Sequence, residues 1–328
     1  MEKTIRQMLS KKKKIILVIL IAVALNVITF CFAYPETFKP ESSTLARDFS
    51  AYYIGEWRLF HNPTKIYAGG AYPGDYQILP QPQTFKYMPS FLILFAPFLA
   101  LSYQNALTAF DIVQLALIPA LAFFVYKIVK DKNLVLGAIA AVIVLIDPLP
   151  SPSINSAAVN LLNYRVFSLN AQSFSPSYYC GYVLANAHIL QTVLLVGALY
   201  LGFSKKPWLS ALLFAFGAFD PRAALLALPL LLWYNRQKIF QFITATVTFV
   251  LATNLPFFFY YGIGFAFLHA EVNGNIVSQM YQYDWIPLYA VAALTIVEII
   301  TVIRRKRKMH FNFPLKLKDR KLTETENQ

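Results

Sequence analysis

Apolar runs of bilayer length recur along this chain, and lysines or arginines close most of them at one end. The first, Ile15 to Ala33, holds about 19 residues without a charge and follows Lys11, Lys12, Lys13 and Lys14. It exceeds the h-region of a signal peptide and lacks an A-x-A cleavage site, so it is expected to stay in the chain as a signal anchor. Hydrophobic residues make up 57% of the sequence, too apolar for an ordinary water-soluble domain. The expected fold is therefore an all-α, polytopic helical membrane protein. The net charge of +13 belongs to the ends of the apolar spans, so topology explains it better than nucleic acid does.

The spans follow in order. Pro89 to Leu101 is an apolar segment of about 13 residues with Pro97 inside it, too short to cross and expected to be re-entrant or interfacial. Leu107 to Val129, Leu134 to Leu149, Tyr182 to Phe203, Ile239 to Tyr261 and Trp285 to Ile303 are expected to cross. Trp208 to Trp233 is long enough for one span, but Asp220-Pro221-Arg222 puts two charges and a helix breaker at its centre. Read as a hairpin of two half-length helices, it leaves the basic clusters at 11–14, 127–132, 205–206, 236–238 and 304–308 all on the cytoplasmic side. The sum is about eight membrane helices, six full spans plus the broken pair, with the re-entrant helix and a large first outer loop. The domains read as a basic cytoplasmic N-terminus at 1–14, a transmembrane domain at 15–303 whose first outer loop is 34–88, and a basic cytoplasmic tail at 304–328. That tail can rest on anionic lipid.

The loop segment Arg47 to Tyr67 gathers the polar and aromatic residues of a site at the bilayer surface. Ser42, Ser43 and Thr44 offer a helix N-cap, and Asn62-Pro63 should end the helix. Helical spacing puts Phe49, Tyr53, Trp57 and Phe60 on one stripe, expected to lie at the headgroup boundary. Asp48, Tyr52, Gly55 and Glu56 share a second face, and Arg47, Ala51, Ile54 and Arg58 a third. Asp48 suits a general base; it also suits the helix N-terminus, where the macrodipole and an arginine would satisfy it. Tyr52, Tyr53, Trp57 and Tyr72 offer rings for sugar faces or for interface anchoring. Arg47 and Arg58 could hold a phosphate or lipid headgroups, and Arg165 is the lone cation of the second outer loop. Arg222, beside a helix break in the membrane, is the main candidate for a phosphate, or else pairs with Asp220. His188 and Gln191 share one helical face, for substrate or for a polar contact between helices.

Asp75 lies in a Pro-Gly-Asp sequence that reads first as a turn. His269, Glu271 and Asp284 match no metal-ligand spacing, and Cys31 and Cys180 are too few for a thiolate site, so no metal and no cofactor are expected. An enzyme on the outer face has no nucleotide sugar at hand; a sugar carried on a lipid phosphate is the natural donor. Its phosphate is already a leaving group, so one carboxylate and a few cations suffice.

The order of a first span, Asp-Phe-x-x-Tyr-Tyr at Asp48 to Tyr53, Asn-Pro-x-x-x-Tyr at Asn62 to Tyr67, and Phe85-Lys86-Tyr87-Met88-Pro89 entering a short apolar helix resembles glycosyltransferase family 87. That family lies in the GT-C superfamily of polyprenyl-phosphate-sugar-dependent transferases. Asn186-Ala187-His188-Ile189-Leu190-Gln191 resembles its Asn/Gln-bearing helix, and Asp220-Pro221-Arg222 stands where members often carry a break; the resemblance covers residues 15–260. It implies an inverting transfer, usually of mannose, with Asp48 as base, a polyprenyl-phosphate sugar as donor, and a glycan, glycolipid or protein as acceptor. Two other classes stay open. A lipid or small-solute transporter or flippase would use the broken helix as a midplane site. A non-catalytic membrane subunit would tolerate replacement of Asp48.

Overall fold

The computed structural model describes residues 16–17, 19–28, 30–31, 47–68, 84–85, 87–131, 133–145, 187–219, 221–270 and 294–303, without the side chains of Arg47, Ile143, Pro221 to Ala223, Leu226, His269 and Ala270. Among them every regular element is a helix. The segment expected as a second outer loop, with Arg165 and Cys180, lies outside these residues, as do Asp75, Tyr72, Asp220, Glu271, Asp284 and the helix-capping serines.

The helices are α1 (Ile19–Ile28), α2 (Arg47–His61), α3 (Ser90–Phe95), α4 (Tyr103–Lys130), α5 (Leu134–Leu145), α6 (His188–Phe203), α7 (Pro207–Gly217), α8 (Pro221–Tyr234), α9 (Ile239–Phe259), α10 (Ile263–Ala270) and α11 (Leu294–Ile303). Two are long and apolar enough to cross a membrane: α4, and α9 with the turn of 3-10 helix before it (Arg236–Phe259). At 1.5 Å per residue the 28 residues of α4 reach about 42 Å, more than a hydrocarbon core of about 30 Å.

Two cores stand out among the described residues before α11. In one, Ala22 of α1 packs with Ile118 and Ala122 of α4, Ala141 and Leu145 of α5, and Ile189 of α6. The other is aromatic. Phe49 and Tyr52 of α2 meet Phe91 and Phe95 of α3 and Phe110 of α4, with Phe85 and Phe219 alongside. Phe49 alone contacts five other rings, Tyr53, Phe95, Phe98, Tyr103 and Phe110, at centroid distances of 5.3–6.3 Å. Tilted and edge-on pairs of this kind add about 0.5–1.5 kcal/mol each beyond their buried area.

Asn62-Pro63 ends α2 as the sequence implies, because Pro63 opens a 3-10 turn (Pro63–Lys65). The apolar segment after the first loop is short, α3 followed by a 3-10 stretch (Ala96–Ala100) that takes up Pro97. Half of the aromatic stripe of α2 packs into the protein instead of facing outward. Phe49 is wholly buried and Tyr53 nearly so; only Trp57 and Phe60 come out towards the surface. Helical spacing identifies a stripe but not what covers it.

The segment around Asp220 folds as a hairpin of short helices. α7 and α8 hold 11 and 14 residues, about 16 and 21 Å, so neither spans a bilayer core. Gln191 Nε2, near the start of α6, donates to Gly217 O at the end of α7 over 3.0 Å. Asn235, just past α8, donates to Ser210 Oγ of α7 over 3.2 Å, and Ser210 Oγ in turn donates to Ala198 O of α6 over 2.8 Å. α7 therefore climbs along α6 and α8 descends again. Gly202 admits Asn235 at the lower end: a Cβ there would stand 2.5 Å from Asn235 Nδ2. α10 was not foreseen: it lies just past Tyr261, where a span is expected to end, and its IGFAFLHA sequence is still apolar.

Candidate functional site

α2 forms because its inward residues are aromatic and aliphatic at helical spacing, and the cluster around Phe49 holds it against α3 and α4. Asp48 stands in its first turn, half-buried. A carboxylate is favoured there by the partial positive charge of the helix N-terminus. One turn on, Tyr52 is fully buried, and its Oη accepts from the N–H of Ala187 at 3.2 Å and lies 3.3 Å from Tyr87 Oη. Burial first, then Tyr87 and the Asp48 charge, hold the Tyr52 hydroxyl well above its ordinary pKa, so it stays neutral.

This hydroxyl ties together segments far apart in sequence. Ala187 precedes His188, the first residue of α6. Tyr87 belongs to the segment before α3, where Met88 N donates to Phe219 O at 3.1 Å and Ser90 N to Asn254 Oδ1 of α9 at 3.3 Å. Phe219 contacts Phe91 at 4.1 Å and Tyr87 at 5.4 Å, and α8 begins two residues later. Four stretches, those of Asp48, Tyr87, His188 and, through Phe219, the turn into α8, thus meet at one aromatic cluster. Beside it lies an apolar cavity of about 120 Å³ between α7, α8 and α9, lined by Met88, Phe214, Ala218, Ala224, Leu225 and Asn254 among others.

The other candidates divide. Arg58 is 1% exposed and donates through Nη1 to the carbonyls of Lys65 at 3.0 Å and Ala68 at 2.9 Å. It braces the turn behind α2 instead of facing a phosphate or a headgroup. Tyr52 and Tyr53 present no ring to a sugar either: Tyr52 is enclosed, and Tyr53 Oη donates to Leu101 O at 2.7 Å. Trp57 is half-exposed and stacks on His61 at 4.2 Å. His188 is buried at the head of α6, and Gln191 makes the contact between helices described above. The side chains of Arg47 and Arg222 lie outside the described residues, although their backbones open α2 and α8. Among the described residues no group of three or more His, Cys, Asp or Glu is placed to hold a metal.

Two carboxyls carry more weight than the sequence suggested. Glu56, on the face of Asp48 and Tyr52, is 1% exposed; among the described residues its Oε2 meets no hydrogen-bond partner, and burial pushes the carboxyl up to about 8. Asp111 is fully buried on α4 beside Phe110; Oδ1 accepts from Gln114 Nε2 at 3.3 Å while Oδ2 has no partner among the described residues. A carboxylate inside a long apolar run was the signal for Asp111. Comparison of the chain with protein-family models, with curated proteins and with solved structures gives no match.

Proposed function

We propose that the chain is a multi-pass membrane glycosyltransferase of GT-C type, moving a sugar such as mannose from a polyprenyl phosphate to a glycan, lipid or protein acceptor on the outer face. The observation that carries this reading is the meeting of the Asp48 helix, the Tyr87–Pro89 segment, the head of α6 and the head of α8 at one cluster. Asp48 takes the proton of the acceptor hydroxyl. The acceptor oxygen attacks the anomeric carbon from the side opposite the phosphate, the bond from carbon to phosphate oxygen breaks, and polyprenyl phosphate leaves with its electron pair. The first turn of α8, with its N–H groups and Arg222, suits the phosphate, assisted by Arg47 or Arg165. The apolar cavity beside that turn suits the first isoprene units. In this reading six spans and the half-length pair cross or enter the membrane, both termini are cytoplasmic, and no metal or cofactor takes part.

One observation favours transport instead. Asp111 and Gln114 make a buried polar pair inside α4, the kind of group that marks a pathway through a membrane protein. The test is transfer from a labelled polyprenyl-phosphate sugar in purified membranes by wild type and by Asp48→Asn. Transfer lost in the variant while donor binding persists supports the transferase reading. Equal transfer in both removes Asp48 from the chemistry, and no transfer with any donor favours transport or a non-catalytic subunit.

A further inference from the structure

Glu56 has no role in the chemistry above, yet its placement is unusual. It stands two turns beyond Asp48 on the same face of α2, about 12 Å along the axis. Its neighbour Gly55 packs directly on the Phe85 ring, so this part of the helix is pressed against the aromatic core. The titratable groups on α2 and, among the described residues, on the elements packed around it are Arg47, Asp48, Tyr52, Tyr53, Arg58, His61, Lys65, Tyr67, Tyr87, Tyr103, Asp111, His188 and Tyr260. None of their charges perturbs Glu56; enclosure alone does. Arg58, the nearest cation along the helix, directs Nη1 to two carbonyls of the following turn. Among the described residues an ionised carboxylate in this position meets no counter-charge, so it would be buried at a cost the local packing must bear.

We propose that Glu56 is a positioning residue for Asp48: its neutral carboxyl lets α2 seat against the aromatic core, and loss of its proton unseats the helix and carries Asp48 away from the site. The second half of this statement rests on the role given to Asp48 above; the first does not. α2 is seated on the acid side, where Glu56 is neutral, and is released as pH rises through the carboxyl's own titration.

The experiment uses the full chain in lipid nanodiscs. Trp57, next to Glu56, reports on α2, and its emission is isolated as the difference between wild type and Trp57→Phe. Titrated from about pH 6 to about pH 9.5, the wild type is expected to show a transition near pH 8 that is missing in Glu56→Gln. Glu56→Met, of similar shape and unable to titrate, serves where the glutamine variant does not fold. In parallel, kcat for sugar transfer should fall several-fold across that range in wild type, with KM little changed, and stay level in the variants. An emission transition that survives both substitutions, or none in wild type, overturns the proposal. A transition abolished by the substitutions in a chain that transfers no sugar supports the seating of α2 and refutes only the glycosyl-transfer reading.

Discussion

Removing one hydroxyl, by Tyr52→Phe, tests whether the head of α6 is held by α2. The ring stays, with its contacts to Phe91 at 5.1 Å, Phe95 at 4.9 Å and Tyr87 at 5.4 Å. What goes is the acceptor for the Ala187 N–H and the link to the Tyr87 hydroxyl. A buried N–H left without an acceptor costs about 1–3 kcal/mol, and the longer bond to Tyr87 about 0.5 kcal/mol. The expected loss is therefore about 2 kcal/mol. Tyr52→Ala also deletes the ring and should cost about 3–5 kcal/mol more. The assay is reversible unfolding in mixed micelles, followed by circular dichroism, with amide exchange to localise the effect. In Tyr52→Phe, exchange should quicken at residues 187–191 and hardly change at the far end of α6. A variant as stable as wild type, or one as damaged as Tyr52→Ala, would refute the argument, because either result means the hydroxyl is not what joins the two helices.

Gly55→Ala should destabilise by about 1–3 kcal/mol, since the new Cβ would meet Phe85 Cδ2 at 2.9 Å and Cγ at 3.0 Å in a full core; a smaller residue at Phe85 should recover part of this in a double-mutant cycle. Gln191→Leu leaves the Gly217 carbonyl short of its donor and should cost about 1–2 kcal/mol, read from the same unfolding curves. Glu56 also sets a pH dependence of stability. Its folded pKa of about 8 lies above the unfolded value, so the folded state holds the extra proton; stability is highest below the unfolded carboxylate pKa, falls as pH rises through about 8, and is level beyond. Glu56→Gln should flatten that slope in melting temperatures measured across the range.

The helices, the stop at Asn62-Pro63 and the break at Asp220-Pro221-Arg222 are legible in sequence because each follows from backbone chemistry: a proline, a turn pair, an apolar run. Which way a helix faces is not. The Phe49, Tyr53, Trp57 spacing fits a membrane interface and a protein core equally, and only the partners Phe95, Phe98 and Phe110, from α3 to α4, decide between them. Arg58 misleads for a similar reason. A guanidinium near a loop reads as a ligand for phosphate, but the chain turns back at Asn62 and presents two carbonyls to it. Helical spacing puts Glu56 on the face of Asp48, and the apolar run around Asp111 marks that carboxylate as unusual, but neither pattern shows that Oε2 of Glu56 and Oδ2 of Asp111 are enclosed without a partner among the described residues.

The hydrogen bond from Ser90 N to Asn254 Oδ1 joins residues 164 positions apart. In a chain made from its N-terminus, the segment before α3 is complete long before its anchor on α9 exists. Until then the aromatic residues beneath α2 have no finished seat, and the Met88 N–H also waits for Phe219. Assembly around the start of α3 is thus one of the last events of biogenesis, and a ribosome halted before α9 should leave Ser90 and Tyr87 open to protease or to a chaperone.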